Sequence, residues 1–406
     1  MKNLHVKKTL VLILISVLLF TGCSKNDNDD FPQSKTTVSL IKPTNLQDVQ
    51  VLDGVITFKE INTNTTVNSP SIVNNSINTP NGIDITLPQG SYNVTFEGTI
   101  QYQLDGKTVK SKVRAYKEGV EVTTKTLALD LPLFLYNESS GFVIQEIFFT
   151  GTVTPENKAY NGDKYVIIYN NSDKVLYADS LVFAESHFLT TQKRDYTPDI
   201  MNDAFTSSAL VMVPGDGNDY PIQPGESFVI ANNAINHKEY NTNSYDLSKS
   251  KFEIDLLPTI NVDNPNVPNT INIAGYLTMH NRGFKSYVIF KMGKSLADFK
   301  SQNVYTTTYT NAAGNPTSAQ VYKVENSSII DAVNLSVESE FEWIVTSPVL
   351  DMGWTYCGKV DSDATRYGKS VIRKVLTTTP DGRKIYKDTN NSTVDFDAEQ
   401  KPSLSN

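Results

Sequence analysis

Residues 92–104, YNVTFEGTIQYQL, alternate apolar and polar side chains and constrain the fold more than any other stretch of the chain. The apolar residues all fall on even positions, with polar or small residues between them: Tyr92, Val94, Phe96, Ile100, Tyr102 and Leu104. A period of two places successive side chains on opposite faces of a β-strand, so one face packs on a core and the other meets water. The pattern predicts a half-buried strand.

The residues that follow predict a β-hairpin. Asp105 and Gly106 suit the positive φ angles of a two-residue turn, and Val109, Val113 and Ala115 continue the alternation on the returning strand. Three earlier strands are predicted, at residues 37–41, 55–60 and 83–87. The asparagine-rich stretch 62–81 has no core pattern and is predicted to be a long loop.

Composition extends the β prediction to the whole chain. The 406 residues include 20 tyrosines and 18 phenylalanines, and helical periodicity is scarce. Residues 142–149 form a nearly continuous apolar run, residues 164–183 read as strand, turn and strand, and residues 222–231 add a turn and a strand. The apolar runs in these three segments are bounded by Gly, Pro and Asn and predict buried strands. Residues 191–221 and 256–276 are predicted loops. Because about 380 mature residues exceed one typical core, we predict an all-β protein of two β-sandwich domains, the second with long insertions.

The N-terminus predicts export. Lys2, Lys7 and Lys8 precede an apolar run over residues 9–20, which is too short for the roughly 20 residues of a membrane-spanning helix. Residues 1–22 are therefore predicted to be a signal peptide. The sequence FTGC resembles the lipobox of bacterial lipoproteins, which implies acylation of Cys23 and attachment to the outer membrane through the lipid.

The segment after Cys23 predicts surface exposure. SKNDNDD resembles the acidic sorting signal of Bacteroidota lipoproteins that reach the cell surface, and residues 23–36 are predicted to form a solvated tether. Removing residues 1–22 takes away three lysines and no acid, so the net charge changes from −8 to −11. A chain of this sign is not suited to bind nucleic acid through general electrostatics. The one other cysteine, Cys357, gives no disulfide framework.

Two sequence patterns resemble known β-sandwich domains. LPQGSYNVTF resembles the turn and strand of immunoglobulin-like and carboxypeptidase-regulatory-like domains, which implies a first sandwich over residues 37–129. The three apolar runs resemble the strands of lamin-tail-like domains, which implies a second sandwich over residues 131–406. The matching residues are Ile144, Glu146, Ile147, Tyr165, Val166, Ile168, Tyr169, Asn170, Pro224, Gly225, Val229, Ile230 and Ala231. Ile167 departs from the pattern, which commonly has glutamate there.

The C-terminal sequence RYGKSVIRKVLTTTPDGRKIYKDTNNSTVDF, with the runs above, resembles an uncharacterised lipoprotein family of gut Bacteroidota, known only as a domain of unknown function. The resemblance covers residues 131 to the end. It implies a TonB-dependent barrel receptor as a partner and, because such genes often lie in iron-responsive settings, a role in iron uptake.

The same C-terminal region contains the candidate ligand-binding residues. Seven cations lie within 22 residues, although the chain as a whole is negative. If SVIRKVL and RKIYK pair as strands, we expect several of these cations on one sheet face beside two tyrosines. Guanidinium groups and tyrosine rings suit an anionic aromatic ligand. The alternative is a solvated basic face or protection of an edge strand. The candidates are Arg366, Tyr367, Lys369, Arg373, Lys374, Arg383 and Tyr386.

No motif in the sequence predicts catalysis, a metal site or a cofactor. His187, His237 and His280 lie far apart, near aromatic residues, and are expected to be packed at loop ends. DTNNSTVDFD, residues 388–397, has oxygen ligands but not the glycine turn of a calcium loop. We therefore expect a non-catalytic, surface-exposed accessory or capture component of a TonB-dependent uptake system with an unknown ligand. The alternatives are an adhesion or scaffolding protein and a hydrolase with residues scattered over loops.

Overall fold

The computed structural model describes residues 32–43, 46–77, 82–104, 107–136, 141–256 and 262–405. The predicted signal peptide, Cys23, most of the acidic tether and the Asp105-Gly106 turn lie outside these residues. The first strand begins at Gln33, within the stretch predicted to be tether.

The first unit is built from two sheets. Its strands are β1 (Gln33–Ile41), β2 (Gln47–Glu60), β3 (Thr66–Asn68), β4 (Ile72–Ser76), β5 (Gly82–Pro88), β6 (Gly90–Leu104), β7 (Lys107–Val122), β8 (Thr126–Pro132) and β9 (Phe134–Tyr136). One sheet has the order β5-β1-β8, and the other has the order β3-β2-β6-β7-β9, with β4 also paired to β2. Their facing side chains form one core, from Val38 to Leu133.

The predicted hairpin is confirmed. Strands β6 and β7 pair antiparallel from Gly90 opposite Val122 to Leu104 opposite Lys107. Tyr92, Val94 and Phe96 are at most 2% exposed, as the period of two requires for the face that packs on the core. The three earlier strands are also present, as parts of β1, β2 and β5.

The second unit contains more strands and the α-helices of the described residues. Its strands are β10 (Phe142–Phe148), β11 (Thr152–Val153), β12 (Ala159–Tyr160), β13 (Tyr165–Asn170), β14 (Leu176–Tyr177), β15 (Leu181–Ser186), β16 (Tyr196–Thr197), β17 (Ala204–Met212), β18 (Pro221–Ile222), β19 (Ser227–Ala231), β20 (Phe252–Glu253), β21 (Ile271–Ala274), β22 (Ser286–Lys291), β23 (Val304–Thr310), β24 (Pro316–Glu325), β25 (Ile329–Ser336), β26 (Thr355–Tyr356), β27 (Ser370–Arg373), β28 (Val375–Thr378), β29 (Lys384–Tyr386) and β30 (Phe396–Gln400). Its helices are α1 (Leu296–Gln302) and α2 (Ser392–Asp395). In the part of the chain that the structure describes, no helix is long and apolar enough to cross a bilayer.

Two large sheets face each other in this unit. One has the order β20-β19-β13-β10-β27-β30, and the other runs β16-β23-β24-β17-β15-β22-β25-β26, with β21 paired to β17. The main core lies between them and includes side chains of β10, β13, β17 and β22. The three apolar runs predicted as buried strands supply β10, β13 and β19, which are neighbours in the first sheet. The all-β class with sandwich-like sheets is thus confirmed.

Three stretches predicted as loops contain strands, so these predictions are wrong. Residues 62–81 contribute β3 and β4, both paired to β2. Residues 191–221 include β17, a central strand that pairs with β15 and β24. Residues 256–276 include β21, which pairs with β17. β3 and β4 are held mainly by backbone hydrogen bonds, and most of their side chains are exposed, so no apolar pattern marks them.

The two units touch along β7. The Arg114 guanidinium donates to the Val349 carbonyl oxygen at 3.3 Å, and the Tyr116 ring stacks on Trp343 with 5.7 Å between ring centroids. Trp343 also packs edge-to-face against Trp354 and Phe341. The segment 341–354 of the second unit therefore covers part of the first unit's outer sheet surface.

Candidate ligand-binding site

Arg373 lies inside the second unit and not on its surface. Its side chain is 1% exposed and forms ion pairs with Asp331 at 2.5 Å and Asp388 at 3.2 Å, with Asp395 at 3.9 Å. Its Nε donates to the Ile144 carbonyl oxygen at 2.8 Å. The guanidinium therefore serves to join β27 to three acidic segments, and it is not accessible to a ligand.

The other predicted residues also have protein partners. Arg366 donates to the Asn281 and Asp363 carbonyl oxygens at 3.1 and 2.7 Å and lies over the Tyr367 ring. The remaining pairs are Lys369 with Glu399 at 3.1 Å, Lys374 with the Val394 oxygen at 3.0 Å, Arg383 with the Ser172 oxygen at 3.0 Å, and Tyr386 against Tyr169 with ring centroids 4.7 Å apart.

These residues do not share one sheet face. The expected hairpin forms only in part, because β28 pairs with β29 while β27 pairs with β10 and β30. The Lys369 carbonyl oxygen accepts from the Thr150 hydroxyl, just after the end of β10. Arg383 instead contacts Ser172, near the start of β10. A seven-residue strand separates the two contacts by roughly 20 Å. A role in ligand binding for an individual residue stays a prediction.

The region 388–397 is also occupied by internal bonds. Asp388 and Asp395 face the Arg373 guanidinium, and Asp397 lies 3.7 Å from the Lys374 ammonium. These ion pairs occupy the carboxylates that a calcium ion would need as ligands. Within the described ranges, no three His, Cys, Asp or Glu side chains are grouped so that they could hold a metal ion.

The histidines are packed and hydrogen-bonded. His237 donates from Nε2 to the Asn233 carbonyl oxygen at 2.9 Å, so its Nδ1 accepts from the Tyr160 hydroxyl at 2.8 Å. His187 lies against Phe188. Burial lowers the pKa of both His187 and His280 to about 4, so both rings are neutral at neutral pH.

A polar cavity of about 410 Å³ lies where several strands of the second unit begin or end. Its lining comes from the segment before β13, the residues after β19 and the segment before β22. The polar lining residues are Asn161, Lys164, Asn232, Asn233, Thr278, His280 and Asn281. Ligand cavities commonly measure roughly 300–1,000 Å³, so the space suits a small molecule.

Lys164 is the charged group in the cavity wall. It is 4% exposed, and its ammonium donates to the Thr278 carbonyl oxygen at 2.9 Å and the Met279 carbonyl oxygen at 2.6 Å. Burial lowers the pKa of Lys164 to about 8, against the opposing effect of Glu185 and Asp163. An ammonium has three N–H donors, so one is left for a further acceptor.

Two asparagines place acceptors beside Lys164. Asn232 donates its side-chain N–H to the Thr278 carbonyl oxygen at 3.1 Å, and Asn233 donates to the Gly162 carbonyl oxygen at 3.2 Å. A carbonyl only accepts, so these bonds fix the orientation of both amides. Both side-chain oxygens are buried and have no hydrogen-bond partner among the described residues. Leaving such an oxygen unpaired costs about 1–3 kcal/mol.

Gly162 allows its segment of the cavity wall to pack closely against Asn233 and His237. A Cβ at Gly162 would lie 3.0 Å from the Asn233 side-chain nitrogen and 3.4 Å from His237 Cε1. These contacts are tighter than ordinary van der Waals separations, so any larger residue would displace the amide. The glycine therefore helps to set the position of Asn233.

Sequence reasoning missed this cavity. The sequence predicts a packed histidine at His280, and no motif marks Lys164, Asn232 or Asn233. A usable signal existed, because Lys164 directly precedes the apolar strand β13 and the asparagine pair directly follows β19. Polar residues at the ends of adjacent buried strands meet at one edge of a sheet.

The fold and this cavity define an all-β protein with two sandwich-like units and a polar cavity in the second. Residues 223–403 match the family model described as protein of unknown function (DUF4876). A crystal structure of a DUF4876 family protein from Bacteroides thetaiotaomicron is similar to this chain, with 23% identity and a TM-score of 0.57. The likeness covers 91% of this chain and 96% of that chain. At this identity it shows the fold alone. No curated protein matches this chain.

Proposed function

We propose that this protein is a lipid-anchored, surface-exposed capture component of an outer-membrane uptake system, which binds a small ligand and does not transform it. The cavity around Lys164 is the observation that carries the proposal. A buried ammonium with a depressed pKa destabilises the fold, and a neutral residue of similar size would serve packing better. Its position in the wall of a polar cavity favours a binding role.

The chemistry of the cavity wall also favours binding over catalysis. Its polar side chains are amides, one hydroxyl, one ammonium and one imidazole. Amides and backbone carbonyls bind through hydrogen bonds and do not exchange protons near neutral pH. Such a wall selects a ligand by shape and hydrogen-bond pattern.

The proposed location rests on the sequence. The apolar run over residues 9–20, FTGC and the acidic segment after Cys23 together support acylation and transport to the cell surface. The resemblance of the C-terminal region to lipoproteins encoded beside TonB-dependent receptors supports a barrel receptor as the partner and a role under iron limitation. Transcription that rises under iron limitation would agree with that role.

The location is tested by substituting Cys23→Ser. We expect mass spectrometry of the wild-type protein to find an acylated Cys23 at the mature N-terminus, and labelling of whole cells to reach it. The Cys23→Ser variant should leave the membrane fraction, because one acyl anchor accounts for the attachment. An unmodified mature N-terminus, or a wild-type protein shielded from label in intact cells, would contradict the proposal.

The partnership is tested by purification from outer membranes. A TonB-dependent receptor should co-purify with the wild-type protein, and deletion of the gene should slow ligand uptake without changing surface attachment. Reduced attachment with unchanged uptake would instead establish the adhesion function.

A further inference from the structure

We infer that the cavity beside Lys164 binds a small organic acid that also carries hydroxyl groups, an inference that rests on the proposed capture function. Three features support it: an ammonium donor in the wall, a local excess of cations, and buried amide oxygens that lack partners. Each feature selects one part of the ligand.

The ammonium selects an acceptor with negative charge. Lys164 uses two of its three N–H donors on the Thr278 and Met279 carbonyl oxygens, and the third can meet a ligand oxygen. Hydrogen bonds between an ammonium and a carboxylate are shorter and stronger than those between neutral groups. His280 adds a neutral donor, since its Nδ1 accepts from the Phe284 N–H at 3.4 Å and the proton therefore sits on Nε2.

The charges around the cavity favour an anion. Three cations act on His280, namely Arg282, Lys285 and Lys164, against one acid, Asp361. Arg366 adds a further cation, because its Nε donates to the backbone oxygen of Asn281 in the cavity wall.

The acids near the cavity already have partners. Asp361 pairs with Arg282, and Glu185 accepts from the Tyr287 hydroxyl at 2.7 Å. Asp163 Oδ2 accepts from Thr152 and Ser244, whereas its Oδ1 has no partner among the described residues. Among the charged groups that act on His280, cations outnumber acids by three to one, whereas the whole chain is negative.

The amide oxygens select hydroxyl groups. Asn232 and Asn233 are 4% and 8% exposed, both line the cavity, and both side-chain oxygens lack a partner among the described residues. A hydroxyl donates a hydrogen bond, whereas a carboxylate cannot, so these oxygens suit the alcohol groups of a sugar acid or hydroxy acid. The ligand therefore combines one carboxylate with several hydroxyls.

The test compares three probes by calorimetric titration of the full lipoprotein in detergent. D-gluconate has the carboxylate and the hydroxyls, D-glucose has the hydroxyls alone, and acetate has the carboxylate alone. We expect gluconate to bind at least roughly tenfold more tightly than either, and its affinity to fall with added salt. Equal affinity for gluconate and glucose, or for gluconate and acetate, would overturn the inference, as would no gluconate binding up to about 10 mM.

The Asn161→Asp substitution tests the site without disturbing its shape. Asn161 is exposed at the cavity rim, and the substitution keeps its oxygen while adding a negative charge. Gluconate affinity should fall at least roughly fivefold, while glucose affinity stays the same. Asn315→Asp makes the same change in the exposed turn between β23 and β24 and should leave both affinities unchanged. If the two substitutions change the gluconate affinity equally, gluconate does not bind in this cavity.

Lys164→Gln removes the ammonium and should abolish the preference for gluconate over glucose. Circular dichroism establishes that this variant folds, and if it does not fold, the Asn161→Asp result decides.

A protein that faces the medium and co-purifies with a receptor but does not bind gluconate would disprove this inference alone. Gluconate binding by a protein that faces the periplasm would disprove the proposed function alone.

Discussion

Lys164 and Arg373 are both buried cations of the second unit, but their surroundings give them different roles. Arg373 faces three carboxylates within 4 Å and is fully enclosed by its ion pairs. Burial raises the pKa of Asp331, its nearest partner, to about 7 even though the guanidinium opposes the shift. Lys164 has no carboxylate within ion-pair distance among the described residues and donates to backbone oxygens at a cavity. Arg373 therefore joins segments of the fold, whereas Lys164 retains one N–H donor at the wall of a cavity.

The first prediction concerns the effect of pH on Lys164. Its pKa falls from 10.5 to about 8 on folding, so the folded chain holds fewer protons than the unfolded chain between these values. The contribution of this residue to the free energy of unfolding therefore rises with pH across that window. At a pH of about 9.5 the contribution is about 2 kcal/mol larger than at a pH of about 7. The Lys164→Met variant lacks the rise.

Urea unfolding of both proteins from pH 7 to about pH 9.5 measures the difference. Asp163, Glu185, His280 and Lys285 face the same region in both proteins, so their own titration largely cancels. Parallel pH profiles for the wild type and the variant would show that Lys164 is not destabilised by burial.

At the scale of the element, β17 and β4 show two ways in which a strand escapes sequence analysis. β17 has buried side chains on both faces, with Val211 in the core between the sheets and Leu210 in the core on the other side. Its serines look like loop residues, yet Ser207 donates to the Glu185 carbonyl oxygen at 2.7 Å and is satisfied inside the sheet. β4 is mostly exposed, with Ile72 alone of its side chains in the core, and is held to β2 by its backbone.

The second prediction compares the same substitution in these two strands. Val211 is 1% exposed and Val73 in β4 is 61% exposed. Val211→Ala removes buried methyl groups and leaves a cavity, so it should lower the free energy of unfolding by roughly 2–3 kcal/mol. Val73→Ala should change it by less than about 0.5 kcal/mol. Chemical denaturation measures both values, and similar losses would contradict the central position of β17.

At the scale of the whole molecule, the described residues of each unit form their own cores. The core of the first unit includes no residue beyond Leu133, and the cores of the second begin at Phe142. The contact between the units rests on polar and aromatic side chains of β7, among them Arg114 and Tyr116. Because stacked aromatic pairs contribute about 0.5–1.5 kcal/mol beyond the area they bury, this contact couples the units weakly.

The third prediction concerns this contact. Tyr116 takes no part in the core of the first unit, so Tyr116→Ala should leave each unit folded and weaken their coupling by about 1–2 kcal/mol. Differential scanning calorimetry should show the two units melting further apart in temperature than in the wild type. Tyr177→Ala, which removes an exposed tyrosine from the second unit, should leave the profile unchanged. An unaltered profile for Tyr116→Ala would show that the stack does not couple the units.

No single motif predicts the candidate site, because its residues are far apart in the sequence. Lys164, Asn232 and His280 come from three separate chain segments that meet only when β13, β19 and β22 take their places. The basic residues near the C-terminus, by contrast, looked like a site because they are close in sequence. Their partners are distant, as Arg373 shows by pairing with Asp331 across 42 positions.

The sequence by itself determined the strands whose pattern is local. The alternation in β6 and the apolar runs of β10, β13 and β19 act through neighbouring side chains and backbone preferences, which are the same in any chain with these residues. Only the tertiary structure decided that β17 is central, that Arg373 is enclosed and that Lys164 lines a cavity. Burial, ion pairing and desolvation depend on which distant segments pack together, and no local pattern contains that information.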